Sequence, residues 1–191
     1  MSTIVAVKKN NKLCIAADTL TTFGDIRQSN EHDLTSDKIL QHNDSYIGIV
    51  GSAAHHLVMK HVLQQEESLI NLDSPINIYQ TFLNLHPILK QQYYLNPKDE
   101  DEDAYESSRI DALIVNKHGI FGVYALREVF EYKNYWAIGA GSEIALGALY
   151  AKYQDEQNAE NIAACAIEAS AEFHTSSAMP LTSHCIEMAN P

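Results

Sequence analysis

No apolar run in this chain approaches the roughly 18 residues that a membrane-spanning helix needs, and no charged-then-apolar leader precedes the first strand-like segment. No membrane partner and a cytoplasmic location are therefore expected. Cationic side chains are scarce: 13 Lys and Arg stand against 25 Asp and Glu, a formal net charge of -12. Phosphate recognition needs clustered Lys and Arg, so nucleic acid is excluded as a partner. Cysteine is scarce too. Cys14, Cys165 and Cys185 are odd in number and lack a C-x-x-C spacing, which fits a reducing compartment and no zinc site. His55, His56 and His61 share one expected helix without the i,i+4 pair and glutamate of a zinc-peptidase motif, so helix-surface or core roles are expected for them. Gly139-Ala140-Gly141 lacks the third glycine and the βαβ setting of a dinucleotide site. No metal and no cofactor are expected. Repeats and linkers are also missing, and 191 residues with 46% hydrophobic content can bury a sizeable core, so one domain spanning 1–191 is expected.

What is present begins at the chain start. Ile4, Val5 and Val7 read as strand, Asn10-Asn11 as a turn, and Leu13 to Ala17 as a second apolar run ending on Asp18. Thr19 to Gln28 is a polar strand or loop with a turn at Gly24-Asp25. A polar loop over Ser29 to Asp37 leads to a short strand at Lys38-Ile39-Leu40. Tyr46 to Val50 is a buried strand that runs into Gly51-Ser52 and opens a helix over Ala53 to Gln65, with Leu57, Val58, His61 and Val62 at helical spacing. Pro75 starts a second helix whose apolar face is expected at Ile76, Tyr79, Phe82, Leu83 and Leu89, with a kink at Pro87. The acidic run Asp99 to Asp103 reads as a solvated surface loop. Strands resume at Ile110 to Val115, Ile120 to Leu126, Glu128 to Tyr132 and Tyr135 to Ile138. Two alanine-rich helices follow at Glu143 to Tyr153 and Ala159 to about Phe173, then a closing strand near Thr182 to Met188.

Grouped strands and grouped helices point to an α+β build with antiparallel sheets. Two sheets face to face, with a helix pair on each outer side, would bury all of these apolar faces.

Position 2 carries the chemistry. Met1 before a small residue is expected to be removed, leaving Ser2 with a free amine beside its hydroxyl. A serine hydroxyl needs a neighbouring base to attack an amide, and an N-terminal amine is one such base. An α-amine titrates at about 7.7 to 8.0. A nearby ammonium lowers that value and a carboxylate anchors it, roles open to Lys38 and Asp18. Read as residues alone, Ser2 could equally start a strand, Asp18 cap one, and Lys38 be a solvated edge charge.

Taken in order, these segments resemble the proteasome-type N-terminal nucleophile hydrolases over nearly the whole chain. Ser2-Thr3-Ile4-Val5-Ala6-Val7 resembles the Thr-Thr-Ile-Val opening of the HslV-type peptidases, and Ile15-Ala16-Ala17-Asp18 the strand that carries the family's aspartate. Asp37-Lys38-Ile39 is similar to its lysine strand, Gly48 to Ala54 to its glycine turn, and Tyr135 to Gly141 to its later Ala-Ile-Gly-Ser-Gly stretch. Within the family, the run Ser2 to Thr22 resembles the beta-proteobacterial proteasome homologues.

The resemblance implies a four-layer αββα sandwich and an amide-bond hydrolase acting on unfolded polypeptide inside stacked homo-oligomeric rings of six or seven protomers. Such a ring leaves room for a feeding ATPase or adaptor. It implies Ser2 as nucleophile and base, Asp18 and Lys38 as tuners, the Gly51 amide as oxyanion donor, and Thr22 with the Gly51 strand as holders of an extended peptide. Glu172 and Thr175 fall where the family has a supporting aspartate and hydroxyl.

Three departures stand out. Ser2 replaces the usual threonine; Ala140 replaces a serine that bonds the free amine, leaving the relay incomplete or served by Ser142 or water; and Glu172 is one methylene longer than aspartate. A ring with little catalysis, serving as scaffold or binding protein, is the alternative, and a monomeric amidase of small amides is a third. Assembly is expected to use apolar helix surface at Ala53, Ala54, Leu57 and Val58, and at Ala145, Leu146, Ala148, Leu149, Ala163 and Ala164.

Overall fold

A computed structural model describes residues 2–96, 106, 110–125 and 127–189. Strand β1 (Thr3–Lys9) turns at Asn10 and Asn11, with φ of 49° and 64°, into β2 (Lys12–Asp18). Two consecutive positive φ values match the twist of a tight hairpin, and asparagine tolerates them better than other residues with a Cβ. A small hairpin follows, β3 (Thr21–Phe23) and β4 (Ile26–Gln28), and then β5 (Ile39–His42) and β6 (Ser45–Val50). Helices α1 (Ala53–Gln65) and α2 (Pro75–Gln92) precede strands β7 (Asp111–Asn116), β8 (Gly119–Val123), β9 (Val129–Tyr132) and β10 (Tyr135–Gly139). Helices α3 (Ser142–Tyr153) and α4 (Ala159–Phe173) lead to β11 (Leu181–Glu187).

The strands form two larger antiparallel sheets, ordered β10-β1-β2-β11 and β5-β6-β7-β8-β9. Side chains alternate across a strand, and in β1 and β2 both faces are buried. Ile4, Ala6, Leu13, Ile15 and Ala17 point to the other sheet and meet Leu113, Val115 and Ile120. Val5, Val7, Cys14 and Ala16 point outward to Leu149, Ile162, Ala163 and Ile167 of α3 and α4. Burial of both faces explains why these strands read as unbroken apolar runs. The second sheet repeats the pattern, with Ala112 and Ile114 of β7 against Met59, Val62, Phe82 and Leu85 of α1 and α2. The result is an α+β fold of four layers, helices, sheet, sheet, helices.

Several side chains point elsewhere than their spacing predicts. In α1 the buried residues are Met59, Val62 and Leu63, while Leu57 is 66% exposed. In α2 they are Ile78, Thr81, Phe82, Leu85 and Leu89, and Ile76, Tyr79 and Leu83 face outward. Apolar residues exceed one stripe in both helices, so the docking angle on the sheet picks the stripe. Ala145, Leu149 and Ala163 are core residues, fully covered by their own sheet, and not surface available for assembly. Helix α2 runs through Pro87 to Gln92. Cys14 and Cys185 sit directly opposite in the β2–β11 ladder and form a disulfide, a pairing that the cysteine count and spacing did not point to; Cys165 remains free. The acidic run Asp99 to Asp103 and Met1 lie outside the described residues. No helix among the described residues is long and apolar enough to cross a membrane.

Candidate active site

The end of β2 and the residue before β5 bring Asp18 and Lys38 together. Asp18 is completely buried, and a carboxylate there survives only with its lone pairs filled. Its Oδ1 accepts from the Thr3 backbone N–H at 2.8 Å and from Lys38 Nζ at 2.7 Å. Its Oδ2 accepts from the N–H of Leu20 at 3.1 Å and of Ala178 at 3.3 Å. Lys38 Nζ also donates to the Leu20 carbonyl at 2.7 Å. Burial lowers the Lys38 pKa, and the charge and hydrogen bond of Asp18 act against that shift without cancelling it. The ammonium is therefore held in place yet gives up its proton more readily than a free lysine.

Ser2 lies one residue before the Thr3 amide that Asp18 grips, and is 7% exposed. Its carbonyl accepts from the Ala140 N–H at 2.8 Å. Gly139 has φ of 94° at this contact, and a Cβ there would collide with the Ser2 carbonyl, so the end of β10 admits only glycine. Behind Ser2, the Thr3 hydroxyl shares hydrogen bonds with Ser170 Oγ at 2.9 Å and Ser177 Oγ at 2.6 Å, and Ser170 Oγ donates to the Gly141 carbonyl at 3.1 Å. This hydroxyl cluster ties α4, the segment after it and the β10–α3 turn to the start of β1.

Ser2, Lys38, Thr22 and Gly51 line one cavity of about 570 Å³. Gly51 has φ of 106° and directly precedes the α1 N-terminus, where Ser52 Oγ accepts from the Ala54 N–H at 3.3 Å. That helix end contributes partial positive charge to the cavity. Thr22 pairs with Arg27 in the β3–β4 hairpin that walls the cavity. A second cavity of similar size, about 600 Å³, is lined by Tyr124, Phe130, Tyr132 and Trp136 and contains neither Ser2 nor Lys38.

The structure thus gathers Ser2, Asp18, Lys38, Gly51 and Thr22, but not the other three expected residues. Ser142 lines the aromatic cavity instead. Glu172 and Thr175 are exposed; the Thr175 carbonyl takes a bond from Arg27 at 3.2 Å, and its side chain is outside the Thr3 cluster. The reason is helical phase: Ser170 continues the buried stripe Ala163, Ala166, Ile167, which leaves Glu172 on the other side. A serine on an apolar stripe needs a buried partner, and that signal was available in the sequence. Thr3 and Ser177 carried no comparable signal. Among the described residues, no three His, Cys, Asp or Glu side chains converge as metal ligands.

Comparison with known proteins agrees with this architecture. The family model for proteasome subunits matches residues 1–189. A proteasome subunit beta from Nanoarchaeum equitans (strain Kin4-M) is 29% identical over 164 residues, covering 82% of this chain and 76% of that protein. The solved structure of Thiobacillus denitrificans BPH is 39% identical with a TM-score of 0.93, covering 99% of this chain and all of the other. The same protein in complex with epoxomicin is 38% identical with a TM-score of 0.90, covering 98% of this chain and all of that one. HslV from Trypanosoma brucei shares the fold at a TM-score of 0.72 and 17% identity, over 97% of this chain and 99% of that one. With a family match over nearly its whole length and the same layered architecture, the chain belongs to the proteasome subunit family, whose fold is that of the N-terminal nucleophile hydrolases.

Proposed function

We propose that the chain is a self-compartmentalising peptidase that hydrolyses peptide bonds of unfolded polypeptides, with Ser2 as nucleophile once Met1 is removed. The observation that carries this reading is the grip on the Thr3 N–H by an Asp18 carboxylate that also holds Lys38, together with the cavity that the preceding residue, Ser2, shares with that ammonium. The free amine of Ser2 takes the Oγ proton as Oγ attacks the carbonyl carbon. Lys38 favours the neutral amine and the developing alkoxide by its charge. The oxyanion forms next to the Gly51 amide and the α1 N-terminus. The protonated amine then returns its proton to the leaving nitrogen, the C–N bond breaks, and an ester to Ser2 remains for water to cleave. Thr22 and the strand ending at Gly51 hold the substrate as an added strand. The homologue described in complex with epoxomicin supports a ligand-accepting site on this scaffold. Stacked homo-oligomeric rings in the cytoplasm would keep such a site away from folded proteins.

The test joins mass and turnover. Intact mass is expected to correspond to a chain starting at Ser2, and unfolded casein is expected to be cleaved. Ser2→Ala is expected to lower turnover at least about a thousandfold with unchanged thermal unfolding, and Ser2→Thr to preserve or raise it. Equal turnover in wild type and Ser2→Ala would end the proposal. Assembled rings that retain Met1 and cleave nothing would establish the scaffold alternative.

A further inference from the structure

We infer that the cavity beside Ser2 selects a basic side chain, lysine or arginine, at the residue whose carbonyl is attacked. This rests on the proposal that Ser2 attacks a peptide carbonyl. The cavity has two chemically distinct parts. Leu20 and Ile49 are apolar and nearly buried, and with Ala53 they form a surface suited to a methylene stem. Asp33, Asp37 and His56 line the same space and suit its polar end.

Both carboxylates are placed to receive a cation. Asp33 Oδ1 accepts from the Thr35 N–H at 2.8 Å and the Thr35 hydroxyl at 2.6 Å; these bonds lower its pKa, keeping it ionised, and both fall on one oxygen. Asp37 uses Oδ1 in the same way, for the Ile39 N–H at 3.0 Å and the Thr182 hydroxyl at 2.9 Å, while His184 Nε2 is 3.8 Å from Oδ2. In each residue the short internal bonds fix the carboxylate through Oδ1; Oδ2 of Asp33 is the oxygen left for an incoming donor, and Oδ2 of Asp37 has the His184 ring nitrogen beyond hydrogen-bond distance at 3.8 Å.

Among the described residues that line the cavity, none is a cation free to neutralise these two carboxylates. Lys38 is the cationic side chain that lines the cavity, and its charge is already matched by Asp18 at 2.7 Å. Burial and the nearby Lys60 lower the His56 pKa against the pull of Asp37, so its ring is neutral at neutral pH. His56 Nε2 is sheltered from solvent without a hydrogen-bond partner, and a neutral imidazole presents there a donor or acceptor and not a repelling charge. Lys60, one turn along α1 from His56, does not line the cavity. The net charge of -12 on the chain adds a field of the same sign as Asp33 and Asp37. A glutamate side chain would meet repulsion, and a leucine would leave the polar end unmatched.

The experiment uses the full chain and fluorogenic peptides that differ only at the cleaved residue. kcat/KM for arginine and lysine is expected to exceed that for leucine by about 10- to 100-fold, the range of one charge-assisted hydrogen bond, with glutamate lowest. Asp33→Asn with Asp37→Asn is expected to bring the arginine-to-leucine ratio within about threefold; Asp33→Asn alone, in an exposed loop, gives a smaller change of the same sign. A wild-type preference for leucine or glutamate, or none, would overturn the inference while leaving Ser2 as nucleophile intact. Cleavage of no peptide would instead remove the nucleophile reading. The selectivity is then read from fluorescence anisotropy of the same peptides on the Ser2→Ala chain: arginine is expected to bind at least about tenfold more tightly than glutamate, and equal affinities would overturn it.

Discussion

A carboxylate with no exposure to water is stable only while every donor around it stays in place, and Asp18 has four: the N–H groups of Thr3, Leu20 and Ala178 and the Lys38 ammonium. Only the ammonium matches its charge. Lys38→Met is therefore expected to cost about 3 kcal/mol of stability, the usual consequence of leaving a buried charge without its partner, as measured by urea denaturation. Its turnover is expected to fall by several orders of magnitude. Lys38→Arg keeps the charge but replaces a compact ammonium with a planar fork that does not fit between Asp18 and Leu20, and it is expected to fail as well. The pH dependence has a definite sign. The folded Lys38 pKa lies below its ordinary value of 10.5, so between those two values the unfolded chain binds the extra proton. Stability from this group therefore rises with pH across that window and is lost as pH falls through the folded value. Urea midpoints measured from neutral pH to about 10.5 are expected to show that rise in wild type and not in Lys38→Met.

At the scale of elements, β1 is the strand on which the site depends. It pairs with β10 on one side and β2 on the other, so Ile4 faces both Ile138 and Ala17, and its neighbours Ser2 and Thr3 inherit that register. Helix α4 fixes the other side through Ser170, which bonds the Thr3 hydroxyl and the Gly141 carbonyl. Ser170→Ala leaves both groups short of a partner in a fully buried place. It is expected to cost about 1 to 3 kcal/mol, read from denaturant midpoints, and to lower turnover through displacement of Ser2. Ser170→Thr, which keeps the hydroxyl, is expected to recover part of the loss; an unchanged midpoint in Ser170→Ala would reduce the cluster to incidental contacts.

At the scale of the whole molecule, large apolar side chains of the outer helices stand exposed among the described residues. Leu57 is 66% exposed, and Ile76, Tyr79 and Leu83 form an outward stripe at i, i+3 and i+7 along α2. Of the α3 and α4 residues expected at a contact between copies, Ala145, Leu149 and Ala163 are spent on the chain's own sheet, whereas Leu146, Ala148 and Ala164 are half-buried. A head-to-tail contact that closes gives a ring. Light scattering at micromolar concentration is expected to report a species many times the 21.3 kDa monomer mass. Ile76→Asp with Leu83→Asp is expected to shift it toward smaller assemblies. A stable wild-type monomer would rule out the closed chamber.

Much of this protein was legible from local pattern. Asn10-Asn11 between two apolar runs specifies the first hairpin, Pro75 and Ser74 start α2, and Gly51-Ser52 breaks β6 into α1, because turns and caps depend on residues close in the chain. The candidate positions Ser2, Asp18, Lys38, Thr22 and Gly51 were legible from family-like motifs, each carried within a short stretch. Folding decided what depends on distant partners. Thr3 meets Ser170 across 167 positions, and Cys14 meets Cys185 across 171. No periodicity encodes such pairs, since each follows from the register of whole strands. The same holds for the helix faces: α1 and α2 carry apolar residues on more than one stripe, and which stripe is buried was set by how the helices lie on β6 and β7. Glu172 and Ser170 differ by two positions on α4, and that step of about 200° around a helix separates solvent from the hydroxyl cluster.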